Sequence, residues 1–120
     1  MRTYYYGPKD RSSSHRIGVY SANFYLVVCH NIQKARNRTS VVKLMGCKAD
    51  DLMDCRGCCD SYNAKVMVFL DRDYICHDLI AHEVFHATDR LLNWAGVKLK
   101  PGNTEAHAFL CGHLTHLVYN

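Results

Sequence analysis

The stretch Leu79-Ile80-Ala81-His82-Glu83-Val84-Phe85-His86-Ala87-Thr88-Asp89 has two histidines four positions apart, with a glutamate directly after the first. On a helix, residues i and i+4 lie one above the other on the same face. Both imidazoles can then reach a single zinc ion at about 2.0–2.1 Å. Glu83 lies about 100° around the helix from His82. It need not be a ligand, and it is suited to accept a proton from a water molecule at the ion.

The residues around this motif predict a long helix from residue 76 to residue 93 or 95, with Gly96 as its C-terminal cap. At about 100° per residue, His82, His86, Asp89 and Asn93 fall within about 60° of one another. The opposite side is apolar or small, so the helix is predicted to be buried except along this polar stripe. Asp89 is either an ordinary polar residue or the acceptor of a hydrogen bond from a ligand imidazole.

A catalytic zinc ion has three protein ligands and one position open to water. Glu105 is the only other glutamate in the chain, and 18 residues separate it from His86. It falls in the first turn of a predicted last helix, and antiparallel packing of that helix would bring it to the two histidines. His107 is the rival third ligand. The alternative role for Glu105 is electrostatic, at the positive end of the helix.

Three further residues of the last helix are weaker candidates. His113 lies about 80° and His116 about 20° from Glu105 around the helix, but His116 is about 16 Å away along its axis. Both are therefore too poorly placed to be ligands, and His107 and His116 are candidates for contacts around the site or with substrate. Tyr119 is a candidate for stabilising an oxyanion.

The remaining pattern predicts a small α+β domain. Residues 64–70 are apolar on both faces, as expected for a strand inside a covered sheet. Residues 23–29 and 40–45 predict two further strands, although a helix over residues 20–38 competes with the first of them. Asn31 is placed to cap a short basic helix over residues 32–38, and Asn103 or Thr104 to cap the last helix, which ends near residue 118.

The segment 46–63 is predicted to be a polar loop with four cysteines, Cys47, Cys55, Cys58 and Cys59. Four thiolates suffice for a second, structural zinc ion. However, zinc ribbons have two separated CxxC pairs, and this segment has one. Free thiols are the favoured interpretation, and the odd total of 7 cysteines argues against a disulfide framework.

Length and composition set the remaining expectations. The chain has 120 residues from Met1, which predicts one small domain, and no apolar run approaches the roughly 18 residues of a membrane span. No signal peptide is recognisable, so the expected location is the cytoplasm. Residues 1–15 are predicted to be a flexible basic arm, and residues 16–120 the domain.

The net charge is +4, and Lys34, Arg36 and Arg38 form a basic cluster. Such a cluster can attract an acidic partner or nucleic acid. A solvated surface is the favoured interpretation.

HExxH followed some eighteen to twenty residues later by a glutamate is the pattern of gluzincin metallopeptidases. More narrowly, residues 80–87 (IAHEVFHA), Gly96-Val97 and residues 103–110 (NTEAHAFL) resemble small HExxH proteins encoded by bacteriophages and prophages. The likeness covers roughly residues 24–118, but only the zinc motif is specific. The chain departs from the pattern at His107, where an apolar or aromatic residue is more familiar, and in its cysteine-rich segment.

This resemblance implies a minimal zincin fold: a small, mostly antiparallel sheet with an edge strand along the cleft and the zinc helix beneath it. It also implies a zinc-dependent peptidase acting on a peptide or protein in a host cytoplasm. Glu83 would be the general base, and His82, His86 and Glu105 the metal ligands. The first alternative function is a non-catalytic zinc-binding protein that acts through protein–protein contacts. The second is a basic nucleic-acid-binding module.

Overall fold

The sheet combines one parallel strand pair with two antiparallel ones. The computed structural model describes residues 10–52 and 54–119. Its strands are β1 (Arg11–Ile17), β2 (Ala22–Cys29), β3 (Gly57–Tyr62) and β4 (Lys65–Asp71), in the spatial order β1-β2-β4-β3. The central strands β2 and β4 are parallel, whereas β1 and β3 pair antiparallel at the two edges. The helices are α1 (Ile32–Arg36), α2 (Thr39–Met45), α3 (His77–Trp94) and α4 (Thr104–Tyr119).

Both faces of the sheet are covered by helices. On one face, Val66, Val68 and Leu70 of β4 pack in a buried cluster with residues of α3 and α4. On the other face, Met67 and Phe69 pack with residues of α1 and α2. Because strand residues alternate between the two faces, a strand that is apolar throughout requires cover on both sides. The predicted fold class, α+β with the HExxH helix and the C-terminal helix packed on a small, mostly antiparallel sheet, is confirmed.

The local signals at several helix ends are also confirmed. The side chain of Asn31 accepts a hydrogen bond from the backbone N–H of Lys34 at 3.0 Å, which caps α1. Gly96 follows α3 with a φ of 84°, and its N–H donates to the Asn93 carbonyl. The competing helix over residues 20–38 is wrong, because β2 occupies the first part of that range.

The strand predicted over residues 40–45 is wrong: this segment is α2. Two adjacent β-branched residues suggested a strand, but the buried positions are Val41 and Met45, which have helical spacing. Gly46 ends the helix in the left-handed region, with a φ of 81°, and its N–H donates to the Val42 carbonyl at 2.8 Å.

The predicted flexible arm is also wrong for its last residues, because Arg11–Ile17 is an edge strand. Its serines pair with β2 through backbone hydrogen bonds, which require no apolar side chain, and its outer positions are exposed to water. The boundary predicted between residues 15 and 16 therefore falls inside a strand. Residues 1–9 of the predicted arm lie outside the described residues.

The segment predicted as a loop over residues 46–63 ends in a strand, β3, which forms an antiparallel edge with β4. Its sequence, Gly-Cys-Cys-Asp-Ser-Tyr, has little strand propensity, and its position is determined by pairing with the strongly apolar β4. This edge strand also packs against α3.

Helices α3 and α4 run antiparallel on the same face of the sheet. The hydroxyl of Tyr119, at the end of α4, contacts Nδ1 of His77, at the start of α3. None of the helices in the described part of the chain has the length and apolarity needed to cross a lipid bilayer.

Candidate metal centre and catalytic carboxylate

The two histidines of the HExxH motif converge on the exposed side of α3. Nε2 of His82 lies 3.2 Å from Nε2 of His86, and their ring planes are inclined at 74°. The helix buries its opposite side in the core through Ile80, Val84 and Leu91. The ring nitrogens therefore meet at the surface, where an ion and a substrate have access.

This separation fits a shared zinc ion. Two ligands bonded at about 2.0–2.1 Å with a tetrahedral angle lie about 3.3 Å apart, close to the 3.2 Å between the two Nε2 atoms. Within residues 10–52 and 54–119, no other histidine, cysteine, aspartate or glutamate places a ligand atom within 4.8 Å of both histidines. The described residues therefore supply two of the three protein ligands that a catalytic zinc ion needs.

Glu83 is turned inward, towards edge strand β3. It is only 5% exposed, and a Cβ added at Gly57 would lie 2.9 Å from its carboxylate oxygen Oε2. Burial raises the pKa of Glu83, whereas the nearby His82, His86 and Arg90 lower it. A buried carboxylate with a raised pKa beside two imidazoles is the environment in which enzymes place a general base.

The sequence analysis missed two residues that surround Glu83. Gly57 lets the backbone of β3 approach the carboxylate. A glycine within a strand often marks a close approach, but this segment was predicted to be a loop, so no such signal was available. Arg90 lies two turns after Glu83, and its guanidinium donates to the Ser61 hydroxyl of β3 at 3.2 Å. Both ends of β3 are therefore in contact with α3.

The structure does not bring Glu105 to the histidine pair. Glu105 is exposed in the first turn of α4, whose buried side consists of His107, Leu110, Leu114 and Val118. Two residues correspond to about 200° around a helix, so Glu105 lies on the side opposite His107. The predicted antiparallel packing of α4 on α3 is present, but it leaves the Glu105 side chain on the outer surface.

His107, the rival ligand, is buried in the core and is 7% exposed. Its Nδ1 lies 3.3 Å from the Asn103 carbonyl. Its Nε2 is buried and lacks a hydrogen-bond partner among the described residues. An unpaired buried nitrogen is costly, which makes His107 an unusual core residue, although it lies outside ligand distance of the histidine pair.

The other candidates are spread along the two helices. Asp89 is half-buried one turn beyond His86, and His116 is exposed on α4. Tyr119, at the end of α4, contacts His77 at the start of α3. His113 lies near His15 of β1, whose pKa is lowered by burial and by the charge of His113. His113 is thus directed towards the β1 edge of the sheet.

The structure describes all four cysteines of segment 46–63 but does not bring any three of them within ligand distance of one another. Cys58 packs in the cluster under α1 and α2, whereas Cys59 packs in the cluster under α3. The reason is that adjacent residues of a strand point to opposite faces. Burial raises the pKa of Cys58 to about 11 and that of Cys59 to about 12, which favours inert thiols.

Comparison of the chain with protein-family models, with curated proteins and with solved structures finds no match. The resemblance to phage HExxH proteins therefore stays a prediction.

The geometry of the site brings together two of the components of metal-assisted hydrolysis, without a third protein ligand among the described residues. One is a pair of imidazoles spaced for one ion, and the other is a carboxylate on the adjacent residue. The carboxylate faces the backbone of β3, which is an edge strand of the sheet.

Proposed function

We propose that the chain is a zinc-dependent metallopeptidase that hydrolyses a peptide bond in a peptide or protein. The observation that carries this proposal is the 3.2 Å separation of the His82 and His86 Nε2 atoms. Glu83, the residue between them in the motif, is held against β3. The phage origin and the cytoplasmic location expected from the resemblance belong to the same proposal.

The residues of this chain perform the proton transfers of the reaction. His82 and His86 would hold the zinc ion, which would supply a Lewis acid for the scissile carbonyl and a bound water with a pKa of about 7. The carboxylate of Glu83 accepts a proton from the attacking water as the new carbon–oxygen bond forms. It then delivers that proton to the leaving amine as the carbon–nitrogen bond breaks.

Glu105 is proposed as the third ligand, and His107 is its rival. The position of Glu105 in the first turn of α4, next to the turn Pro101–Asn103, favours it, because helix ends adjust at low cost. His107 sits in the core and would have to leave it. Ligand binding by Glu105 therefore requires a smaller rearrangement.

Zinc content measured by elemental analysis tests this ligand set. We expect His82→Ala and Glu105→Ala each to bind one zinc ion fewer per chain than the wild type, and His107→Ala to bind as many as the wild type. Loss of zinc with His107→Ala and retention with Glu105→Ala would exchange the two assignments. Zinc bound equally by the wild type and by His82→Ala would refute the site.

Gly57→Ala is expected to lower peptide hydrolysis about 100-fold while zinc stays bound. The new methyl would lie 2.9 Å from Glu83 Oε2 and 2.7 Å from a methyl of Leu79, so the carboxylate has to move. A misplacement of about 1 Å costs roughly a factor of 100 in rate. The measurement is cleavage of a fluorogenic peptide library by the zinc-loaded chain.

The matched control is Gly18→Ala, where a Cβ has nothing within 4 Å. Its rate should equal that of the wild type. An equal loss in both variants, or no loss in Gly57→Ala, would mean that β3 does not position Glu83.

The alternative is a zinc-binding protein that acts by protein–protein contact. It is favoured by the distance of Glu105 and His107 from the histidine pair, and by two exposed phenylalanines on α3 and α4. Phe85 is 50% and Phe109 is 76% exposed. In this case no substrate is cleaved and chelation of zinc unfolds the chain, so a chelator titration followed by circular dichroism separates the two functions.

The nucleic-acid alternative has less support. In the basic cluster Lys34, Arg36 and Arg38, Arg36 is buried against Asp60 and Arg38 pairs with Asp10. Two of the three charges are thus engaged by carboxylates within the fold. We therefore expect no salt-dependent binding to DNA or RNA.

A further inference from the structure

A second group of potential metal ligands lies outside the HExxH site. His30 directly follows β2, Asp71 is the last residue of β4, and Asp73 lies two residues beyond it. Each offers a ligand atom, and these atoms lie within 4.8 Å of one another. His30 Nδ1 is 2.9 Å from Asp73 Oδ2. The group thus combines one imidazole with two carboxylates.

The topology places this group at a crevice of the sheet. β2 and β4 are parallel neighbours, and Cys29 pairs with Asp71 at their carboxyl ends. The chain leaves β2 towards α1 on one face, and leaves β4 towards α3 on the other. Connections that diverge in this way open a crevice beyond the strand ends, which is where ligands bind in sheets with parallel strands. The location of the group in the sheet thus indicates binding independently of which side chains the group contains.

The backbone holds the three residues in place without help from a ligand. The N–H of Arg72 donates to the Cys29 carbonyl at 2.9 Å, joining the two strand ends. The N–H of Asp73 donates to Asp71 Oδ1 at 3.0 Å. On the other side, the N–H of His30 donates to Asp10 Oδ1 at 3.0 Å. Preorganised ligands of this kind bind a cation with little ordering cost.

We propose that His30, Asp71 and Asp73 bind a divalent transition-metal cation such as Mn²⁺ in this crevice. Carboxylates suit Mn²⁺, and the imidazole favours a transition metal over Ca²⁺ or Mg²⁺, which prefer oxygen ligands alone. The side chains of His30 and Asp73 are 65% and 51% exposed, so water completes the coordination. The ion joins the end of β2 to the turn that precedes α3, and thereby stiffens the entry to the HExxH helix.

The test measures Mn²⁺ binding by electron paramagnetic resonance of the free ion, in the full chain carrying His82→Ala and His86→Ala. This background removes the proposed zinc site, so the result is independent of the peptidase proposal. We expect one Mn²⁺ per chain, and a higher melting temperature with Mn²⁺ than without. In this background, His30→Ala and Asp73→Asn should each weaken Mn²⁺ binding at least about tenfold, because loss of a group that only orients a ligand already costs about 10–100-fold.

Asp54→Asn is the matched control, because it removes an exposed aspartate in the loop before β3 and should leave binding unchanged. Absence of saturable Mn²⁺ binding in this background overturns the proposal. So does binding that survives Asp73→Asn, or binding that is weakened equally by Asp54→Asn. If Mn²⁺ binds to the wild-type chain but not to the chain with His82→Ala and His86→Ala, the ion occupies the HExxH site. That result would overturn the His30 site and leave the proposed function standing.

Discussion

Glu83→Gln is expected to keep its zinc ion and to lose peptide hydrolysis by a factor of about 10²–10⁴, the usual contribution of a general base. The amide has the shape of the carboxylate but cannot accept the proton. Burial raises the pKa of Glu83, so the fold already disfavours the charged form. A neutral side chain should therefore be accommodated without loss of stability. The rate is measured with a fluorogenic peptide library and zinc by elemental analysis.

The chain contains its own matched control in the only other glutamate, Glu105. Glu105→Gln is expected to lose zinc, whereas Glu83→Gln keeps it, so two identical chemical changes should give different metal contents. Unchanged hydrolysis in Glu83→Gln would exclude Glu83 as the base. Loss of zinc in both variants would indicate that Glu83 is a ligand.

Arg36→Met is expected to lower the free energy of unfolding by about 3 kcal/mol, at the lower end of the range for a broken buried ion pair. Arg36 is 1% exposed. Its Nε donates to Asp60 Oδ2 at 2.7 Å, and its Nη1 donates to the Cys47 carbonyl at 2.8 Å. Methionine fills the space but leaves both acceptors unpaired, and the Asp60 side chain is 29% exposed, which limits the cost.

Urea unfolding followed by circular dichroism measures this change, and Arg38→Met is its control. Arg38 pairs with Asp10 at 3.4 Å and its side chain is 53% exposed, so its loss should cost under about 1 kcal/mol. Equal losses in the two variants would show that burial of Arg36 does not determine its contribution.

The sequence predicted the elements with strong local signals. The uniformly apolar β4, the capped α1 and the one-sided α3 were all recognisable from residue pattern alone. The two strands it missed, β1 and β3, form through pairing with a neighbouring strand and not through a pattern of their own residues. The serines of β1 and the cysteines of β3 form strands because β2 and β4 offer them backbone hydrogen bonds.

The same distinction holds for the candidate site, where features on one helix were predictable and features that depend on packing between elements were not. The HExxH spacing predicted that His82 and His86 converge, because both lie on one rigid helix. Gly57 and Arg90 were missed because their relation to Glu83 depends on how β3 packs on α3. The third ligand was the least predictable, since the rotation of α4 that buries His107 also turns Glu105 outward.

The parallel pairing at the centre of the sheet has a consequence for how the chain folds. Phe24 pairs with Val66, 42 positions later, whereas β1 pairs with β2 and β3 with β4 as neighbouring hairpins. Each hairpin can therefore form early, but their union must await closure of a long loop, which slows folding. Until then the inner edges of β2 and β4 expose unpaired backbone groups, so high expression should favour aggregation through these edges.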